Sequence, residues 1–430
     1  MKMKLYSRMT AVTAVALCFA TQVQASGSGM MVNEDMLQEL KRMIEQQQAQ
    51  IDKQAAEIAE LKEQLGGADE MIAGKMDKSE LEGVDFDKMV TSSLSRVDLG
   101  LYGHINKGVM YVDNGDTGYT YVVDNTNSQT RLGLKANVEA VHGWNIGGRI
   151  EYGIVANGSS DVNQLNSSNA TDDNFKLRWA EVSFANDMYG KLSVGKGSSA
   201  SDGTTEVDYS GTGMAGYVSI SDLAGASLWN DSDTGLTTVQ IKDVFNSFDG
   251  FSRTDRVRYD TPSFMGVSAA VSGASSDDYD GSLSYSRKFG ETRFGGALYA
   301  GQRGSSVSIG SQYGGSASVF LPMGLNFSVS AATADLTAED RDNPMNWWGK
   351  LGYQTVFYDG STTSFSIDYG ETSDLAQDGD TAKAFTLSAV HNLSEYGTEI
   401  YALFRNHQLD RDAADFDDIN VFFVGSRVKF

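Results

Sequence analysis

The sequence predicts an all-β protein, a sixteen-stranded antiparallel transmembrane β-barrel preceded by an N-terminal α-helical coiled coil. Three observations carry that expectation. From residue 97 to 430 apolar side chains recur at every second position, the period of a strand with two unlike faces. The closing stretch sets Phe422, Val424, Val428 and Phe430 on one parity and Gly425, Arg427 and Lys429 on the other, and it ends on a bare aromatic. A lipid-facing exterior and a wet interior account for that division, and no sheet edge survives in a bilayer, so further strands must close the wall. Finally, Lys2, Lys4 and Arg8 precede an apolar core at 11–20 and a small-residue site ending at Ala25, which reads as a secretory signal over 1–25. Beyond it no run of about 20 apolar residues offers a transmembrane helix.

Composition agrees. The chain has 46 Gly, 19 Tyr and 20 Phe but 3 Pro, a balance that suits short alternating strands better than the proline-rich turns of a soluble sandwich. A mean hydropathy of −0.31 fits a barrel whose lumen and loops are polar. The net charge of −23 excludes nucleic acid as a partner, because phosphate binding needs a basic surface. Cys18 is the one cysteine and lies in the signal, so the exported chain has no disulfide or thiol chemistry. Lipid attachment at Cys18 is disfavoured because Leu17 is too large for the residue before a lipidated cysteine.

A periplasmic coiled coil is expected over 26–67, with its helix at 33–65. Leu37, Ile44, Ile51, Ile58 and Leu65 recur every seven residues, with Leu40, Gln47, Gln54 and Leu61 between them. At ~1.5 Å per residue the rod measures roughly 45 Å. Ile at a with Gln at d favours three strands, so Leu37, Leu40, Ile44, Ile51, Ile58, Leu61 and Leu65 are the expected trimerisation seam. Residues 68–96 form a linker and 97–430 the barrel. The first strands are expected at 99–112, 130–140, 144–155, 175–185 and 191–198, and the last at 420–430. Short turns alternate with long Asp-, Asn-, Ser- and Gly-rich loops, which puts the long loops outside the cell.

The stretches LYGHINKGVMYVD, SQTRLGLKANVEA, FKLRWAEVSF, RVRYDTPSFMGVSAAVSGA and VFFVGSRVKF, in that order, make residues 97–430 similar to the general-diffusion porin family of Gram-negative bacteria. The resemblance implies a homotrimer in the outer membrane, among lipids and lipopolysaccharide, and a third external loop folded into the lumen. The coiled coil is not part of the smaller family members. It is expected to template trimerisation, to reach toward the cell wall, or both.

The longest gap in the strand pattern, 201–253, follows the fifth strand and carries Glu206, Asp208, Asp222, Asp231, Asp233, Asp243 and Asp249. Loops so long are usually functional or disordered. Strand parity turns Arg131, Lys135, Arg149, Glu151, Arg256, Arg258 and Asp260 inward; Lys176 and Arg178 join them across a bulge near Ala180. The expected constriction therefore sets Arg131, Lys135, Arg149, Lys176, Arg178, Arg256 and Arg258 against Glu206, Asp208 and Asp222, with ordinary solvated lumen residues as the plainer reading. Such opposed charges set a transverse field that filters by size and charge. The acidic balance predicts weak cation preference.

Rival classes are weaker. No nucleophile motif accompanies His104, His142, His391 or His407, so an enzyme is not expected. A trimeric stalked adhesin would devote less of its length to strands. A substrate-specific channel, for a sugar or an anion, is the main alternative. It would line its lumen with aromatics, whereas Trp144, Trp179, Trp347 and Trp348 are assigned to lipid parity or rims. No cofactor is expected. Asp415, Asp417 and Asp418, or Asp378 with Asp380, read as solvated loops, with a loop-bound divalent cation as the alternative. Phe430 is the expected closure residue, its strand pairing with the first. Small hydrophilic solutes and ions are the expected cargo.

Overall fold

The computed structural model describes residues 97–430 except 169–173, 275–276, 305–307, 339, 358–359 and 413. The expected signal, coiled coil and linker, with Leu37, Leu40, Ile44, Ile51, Ile58, Leu61 and Leu65, lie outside the described residues. No described helix is long and apolar enough to cross a membrane.

Sixteen strands form one antiparallel wall. β1 is Asp98–Asp113, and β2 is split into Gly118–Asp124 and Arg131–Glu139. β3 to β8 are Asn145–Ile154, Phe175–Asn186, Gly190–Ser198, Arg253–Asp260, Val267–Ala274 and Tyr279–Phe289. β9 to β12 are Thr292–Gln302, Ile309–Phe320, Leu325–Leu336 and Met345–Thr355. β13 to β16 are Ser361–Ser373, Thr381–Leu393, Thr398–Arg411 and Ile419–Lys429. Each strand pairs with the next, and β16 returns to β1 with Val109 opposite Val424. Gly103 and Phe430 seal the seam, each backbone N–H donating to the other's carbonyl at 2.9 and 3.1 Å. The ladder satisfies the backbone within the wall, which a bilayer demands. Leu101, Ile105, Leu132, Ile150, Val182, Val257, Leu298, Val329, Leu351 and Phe422 are exposed around the outside, as period two requires.

On the Phe430 rim the connections are tight. At Gly324, φ is +91° and a Cβ would strike the Gln354 carbonyl, so glycine is the residue that this turn accepts.

Three features depart from the sequence reading. The second strand starts at Gly118, earlier than the expected 130, and is interrupted where residues 125–130 turn inward around a 3-10 turn, Thr126–Ser128. The polar run Asp124 to Gln129 reads as a loop, which hides the strand before it. Next, Trp179 and Trp348 face inward, not to lipid: Trp179 stacks on Arg149, and the Trp348 Nε1–H donates to Asp368 at 3.3 Å. For Trp179 the cause is a bulge. Glu151 lies opposite Trp179 but Tyr152 lies opposite Leu177, leaving Arg178 as the extra residue and reversing parity there. Lastly, the inner face of β16 is polar only near its end. Ile419, Val421 and Phe423 point inward and are buried.

Those inward apolar residues are not wetted because a loop covers them. Met110, Val112, Tyr121, Val123, Leu403, Ile419, Val421 and Phe423 from the wall share one core with Ile220, Leu223, Trp229, Ile241, Val244 and Phe245 from segment 199–252. Burying each large apolar side chain stabilises the docked loop by about 1.5–3 kcal/mol. One sector of the barrel, on β14–β16 and β1–β2, is therefore packed solid.

Candidate pore constriction

Segment 199–252 joins β5 to β6. It contains a 3-10 turn, Ile220–Asp222, a hairpin of Leu228–Asp231 with Gly235–Gln240, and a one-turn helix, Ile241–Val244. Its first part runs along inward-facing wall residues. The Val207 and Tyr209 N–H groups donate to Ser316 and Ser318 Oγ, each at 3.0 Å, and Gln354 Nε2 donates to the Tyr209 carbonyl at 2.7 Å. The fully buried ammonium of Lys350 on β12 reaches Asp208 Oδ2 at 2.8 Å and Thr212 Oγ1 at 3.2 Å, and it donates to the Gly216 carbonyl. Arg405 on β15 donates to the Ile220 carbonyl at 2.8 Å. Gly216 permits this approach, since a Cβ there would stand 2.7 Å from Asp368 Oδ2. At the opposite rim the hairpin pairs with the loop after β15: Ser232 N–H donates to the Asp415 carbonyl at 2.8 Å, and Asp417 N–H to the Asn230 carbonyl at 2.9 Å.

Beside the packed sector lies a polar cavity of about 530 Å³. Arg131, Arg178 and Arg253 line it from the wall, and Asp202, Glu206, Asp222 and Asp249 line it from the loop. The inward turn of β2 narrows it with Thr126, Asn127, Ser128 and Gln129. That turn also braces the loop, as Asn125 Nδ2 donates to the Met214 carbonyl at 2.8 Å and Asn127 Nδ2 to the Ala215 carbonyl at 2.9 Å.

The arginines are held by Glu151 on β3, which is 0% exposed. Its Oε1 accepts from Arg178 Nε at 2.7 Å and lies 3.9 Å from Arg131 Nη1; its Oε2 accepts from Arg149 Nη2 at 2.6 Å and from the Tyr102 hydroxyl at 2.8 Å. One carboxylate thus gathers guanidinium groups from three adjacent strands, with the short distances of charge-assisted bonds. The Arg149 guanidinium also stacks 3.9 Å from the Trp179 ring centroid.

On the loop, burial dominates the acids. It pushes Asp222 up to about 7, with nearby Asp161 adding to the rise and Arg405 opposing it. Burial also raises Glu206 and Asp249, and the repulsion between these neighbouring carboxylates adds to it, so the pair retains a proton well above the ordinary carboxylate range. Asp208 goes the other way: against the cost of burial, the Lys350 charge lowers it.

The cavity brings together four residues of the expected constriction, Arg131, Arg178, Glu206 and Asp222. Arg149 lies beside it through Glu151. Lys135 stands 4.6 Å over the Tyr102 ring, and Lys176 is exposed with no ion pair among the described residues. Arg256 is turned aside to Glu181 Oε2 at 2.6 Å and to the Ser198 carbonyl at 2.9 Å; Arg258 pairs with Asp260 at 2.7 Å. Asp208 faces Lys350 on the far wall. Sequence reasoning missed Arg253, Lys350 and Arg405. Arg253 sits at the loop's exit, 3.7 Å from Asp202, where strand parity had not yet begun. Among the described residues no group of three or more His, Cys, Asp or Glu side chains could hold a metal.

The sequence matches the Gram-negative porin family over residues 89–412. No curated protein matches the chain. Among solved structures it is similar to an anion-selective porin from Comamonas acidovorans, with 15% identity, a TM-score of 0.53, and 78% of this chain and 100% of that one covered. It is also similar to OmpT, an outer membrane protein of Vibrio cholerae (12% identity, TM-score 0.52, 79% and 99% covered). The outer membrane channel DcaP of Acinetobacter baumannii is a third (12% identity, TM-score 0.51, 79% and 99% covered). A closed antiparallel barrel that is apolar outside, charged within and matched over three-quarters of its length belongs to the Gram-negative porin family, and this chain is an outer-membrane channel of that family.

Proposed function

We propose that the channel passes small hydrophilic solutes and ions by passive diffusion, and that segment 199–252, the third external loop, constricts it. The observation that carries this reading is the cavity in which Arg131, Arg178 and Arg253 face Asp202, Glu206, Asp222 and Asp249. Opposed charges across a narrow wet gap orient dipolar solutes and exclude large ones. Arg149, Lys135 and Lys176 extend the basic wall, Arg256 and Arg258 brace its edge on β6, and Asp208 anchors the loop through Lys350. The functional unit is a homotrimer among outer-membrane lipids and lipopolysaccharide. Its N-terminal coiled coil, following a cleaved signal, acts as a periplasmic trimerisation stalk directed toward the cell wall.

Selectivity belongs to side chains, not to fold, so likeness to an anion-selective porin does not alter the expectation of weak cation preference from this chain's net charge of −23. Single-channel conductance with neutral sugars of graded size tests the reading. Conductance should fall smoothly as sugars small enough to enter are added, and solute flux should not saturate. One observation favours the substrate-specific alternative: Trp179, Arg149 and Tyr102 form an inward aromatic-cationic group beside the cavity. Saturable flux of one sugar or anion would select that reading. Deleting residues 33–65 tests the stalk; a heat-resistant trimer that survives unchanged would remove its trimerising role.

A further inference from the structure

We propose that the inward turn of β2, residues 125–130, is a second jaw of the constriction, and that Gln129 on it sets both the room left to a solute and the aim of Arg178. The inference rests on the constriction reading and adds a determinant carried by the wall to the one carried by the loop. It starts from a mismatch in the ladder. Pairing of β1 with the first piece of β2 ends at Lys107 opposite Asp124, and pairing with the second piece starts from His104 opposite Arg131. Two residues of β1, Ile105 and Asn106, therefore face six of β2, 125–130. The surplus is folded into the lumen.

The break lies within the membrane band, since Ile105 and Val109 beside it belong to the exposed outward apolar residues. Irregular backbone at that depth persists only where protein or a water-filled cavity satisfies it. Here β1 supplies the partners. Asn106 is buried with each of its polar groups occupied. Its N–H donates to Thr130 Oγ1 at 3.0 Å and its Nδ2 to the Ser128 carbonyl at 2.9 Å. Its carbonyl accepts from the Asn125 N–H at 3.4 Å, and its Oδ1 from the Tyr401 hydroxyl at 2.5 Å. His104 Nε2 lies 2.8 Å from the Gln129 carbonyl. A turn held by so many side chains is a built element of the wall, not a loose connection.

The same turn organises the basic side of the cavity. Gln129 Oε1 accepts from Arg178 Nη1 at 3.1 Å, and its carbonyl from Arg131 Nε at 3.0 Å. Ser128 Oγ accepts from Arg427 Nη1 at 3.0 Å and from Arg131 Nη2 at 3.4 Å, while Arg427 is itself held by Glu399 at 2.6 Å. Gly153 on β3 leaves room for this arrangement: a Cβ there would stand 3.0 Å from Arg178 Cδ and 3.3 Å from Gln129 Oε1. Thr126, Asn127 and Gln129 are half-buried and line the same cavity as the arginines. Their bulk therefore subtracts directly from the space open to a solute.

Cys18 is the one native cysteine and lies in the expected signal, so an added thiol in the exported protein is readable in planar bilayers. Thr126→Cys on the turn and Ser219→Cys on the loop should each lose single-channel conductance on treatment with a charged methanethiosulfonate. Gln129→Ala should raise the size cut-off for neutral sugars. Gln129→Glu, which keeps the shape, should leave the cut-off in place and shift the reversal potential under a KCl gradient toward cations. Heat-modifiable barrel at normal yield shows that each variant folds, and a merely structural role would lower that yield without moving cut-off or potential. Loss of conductance at Ser219→Cys but not at Thr126→Cys would overturn the second jaw and leave the loop constriction standing. An unchanged cut-off in folded Gln129→Ala would overturn the part assigned to Gln129. If neither thiol alters the current, the constriction reading falls as well.

Discussion

Lys350 is one ammonium on which four loop groups converge, in a site with no water contact of its own. Replacing one member of a buried ion pair strands the other, at a cost of about 3–5 kcal/mol. Lys350→Met should therefore loosen residues 208–216 and raise single-channel conductance, with little change in barrel heat stability. Glu151 acts in the opposite sense. Glu151→Gln keeps a side chain of the same shape but removes the charge that gathers Arg131, Arg149 and Arg178. Reversal potentials under a KCl gradient should move toward anions. The loop acids give a pH dependence whose sign follows from burial. Asp222, pushed up to about 7, holds in the folded state a proton that the unfolded chain releases from about pH 4 upward. Loop docking is therefore favoured at low pH and loses stability as pH rises through 7. Hydrogen-exchange protection of residues 215–225 should be higher at pH 5 than at pH 8, and cation preference should grow over the same interval as these carboxyls ionise.

At the scale of elements, β16 closes the wall through Phe430, whose ring also packs against the Gly103 position. Phe430→Asp should impair assembly before conductance, and the check is the yield of heat-modifiable barrel in outer-membrane fractions. Most of the wall was legible in the sequence because period two leaves a plain trace where one face meets lipid, as in Leu132, Leu134 and Ala136. The trace fails where the inner face is also apolar. Val421 and Phe423 alternate with Phe422 and Val424, so residues alone do not tell a wet interior from a packed one. The missing information lay far upstream in the chain, in Trp229 and Phe245, which cover that face. The break in β2 was hidden for a related reason. Its polar residues, Asn125 to Gln129, have the composition of an external loop yet bond inside the barrel. The candidate site was legible as a set of charges of the right sign, but the pairing of Arg256 with Glu181 and of Asp208 with Lys350 depends on wall neighbours that strand parity does not rank.

In the molecule as a whole, the proposed constriction sets the permeation path off-centre. The packed sector fills the side of β14–β16 and β1–β2, and the charged cavity lies toward β2–β6. The field across it is screened over about 8 Å at physiological salt, a length comparable to a narrow pore, so selectivity should weaken as KCl is raised from 0.1 to 1 M. The packed sector also bears on biogenesis. Its core includes Met110 and Val112 from β1 together with Val421 and Phe423 from β16, the first and last strands, which meet at the seam. If the cylinder closed before segment 199–252 was inside, both strands would present bare apolar rows to an empty lumen, and Trp229, Ile241 and Phe245 would be stranded in water. The packing therefore predicts that the loop acts as an internal mandrel, entering the cylinder before the seam between β1 and β16 closes around it.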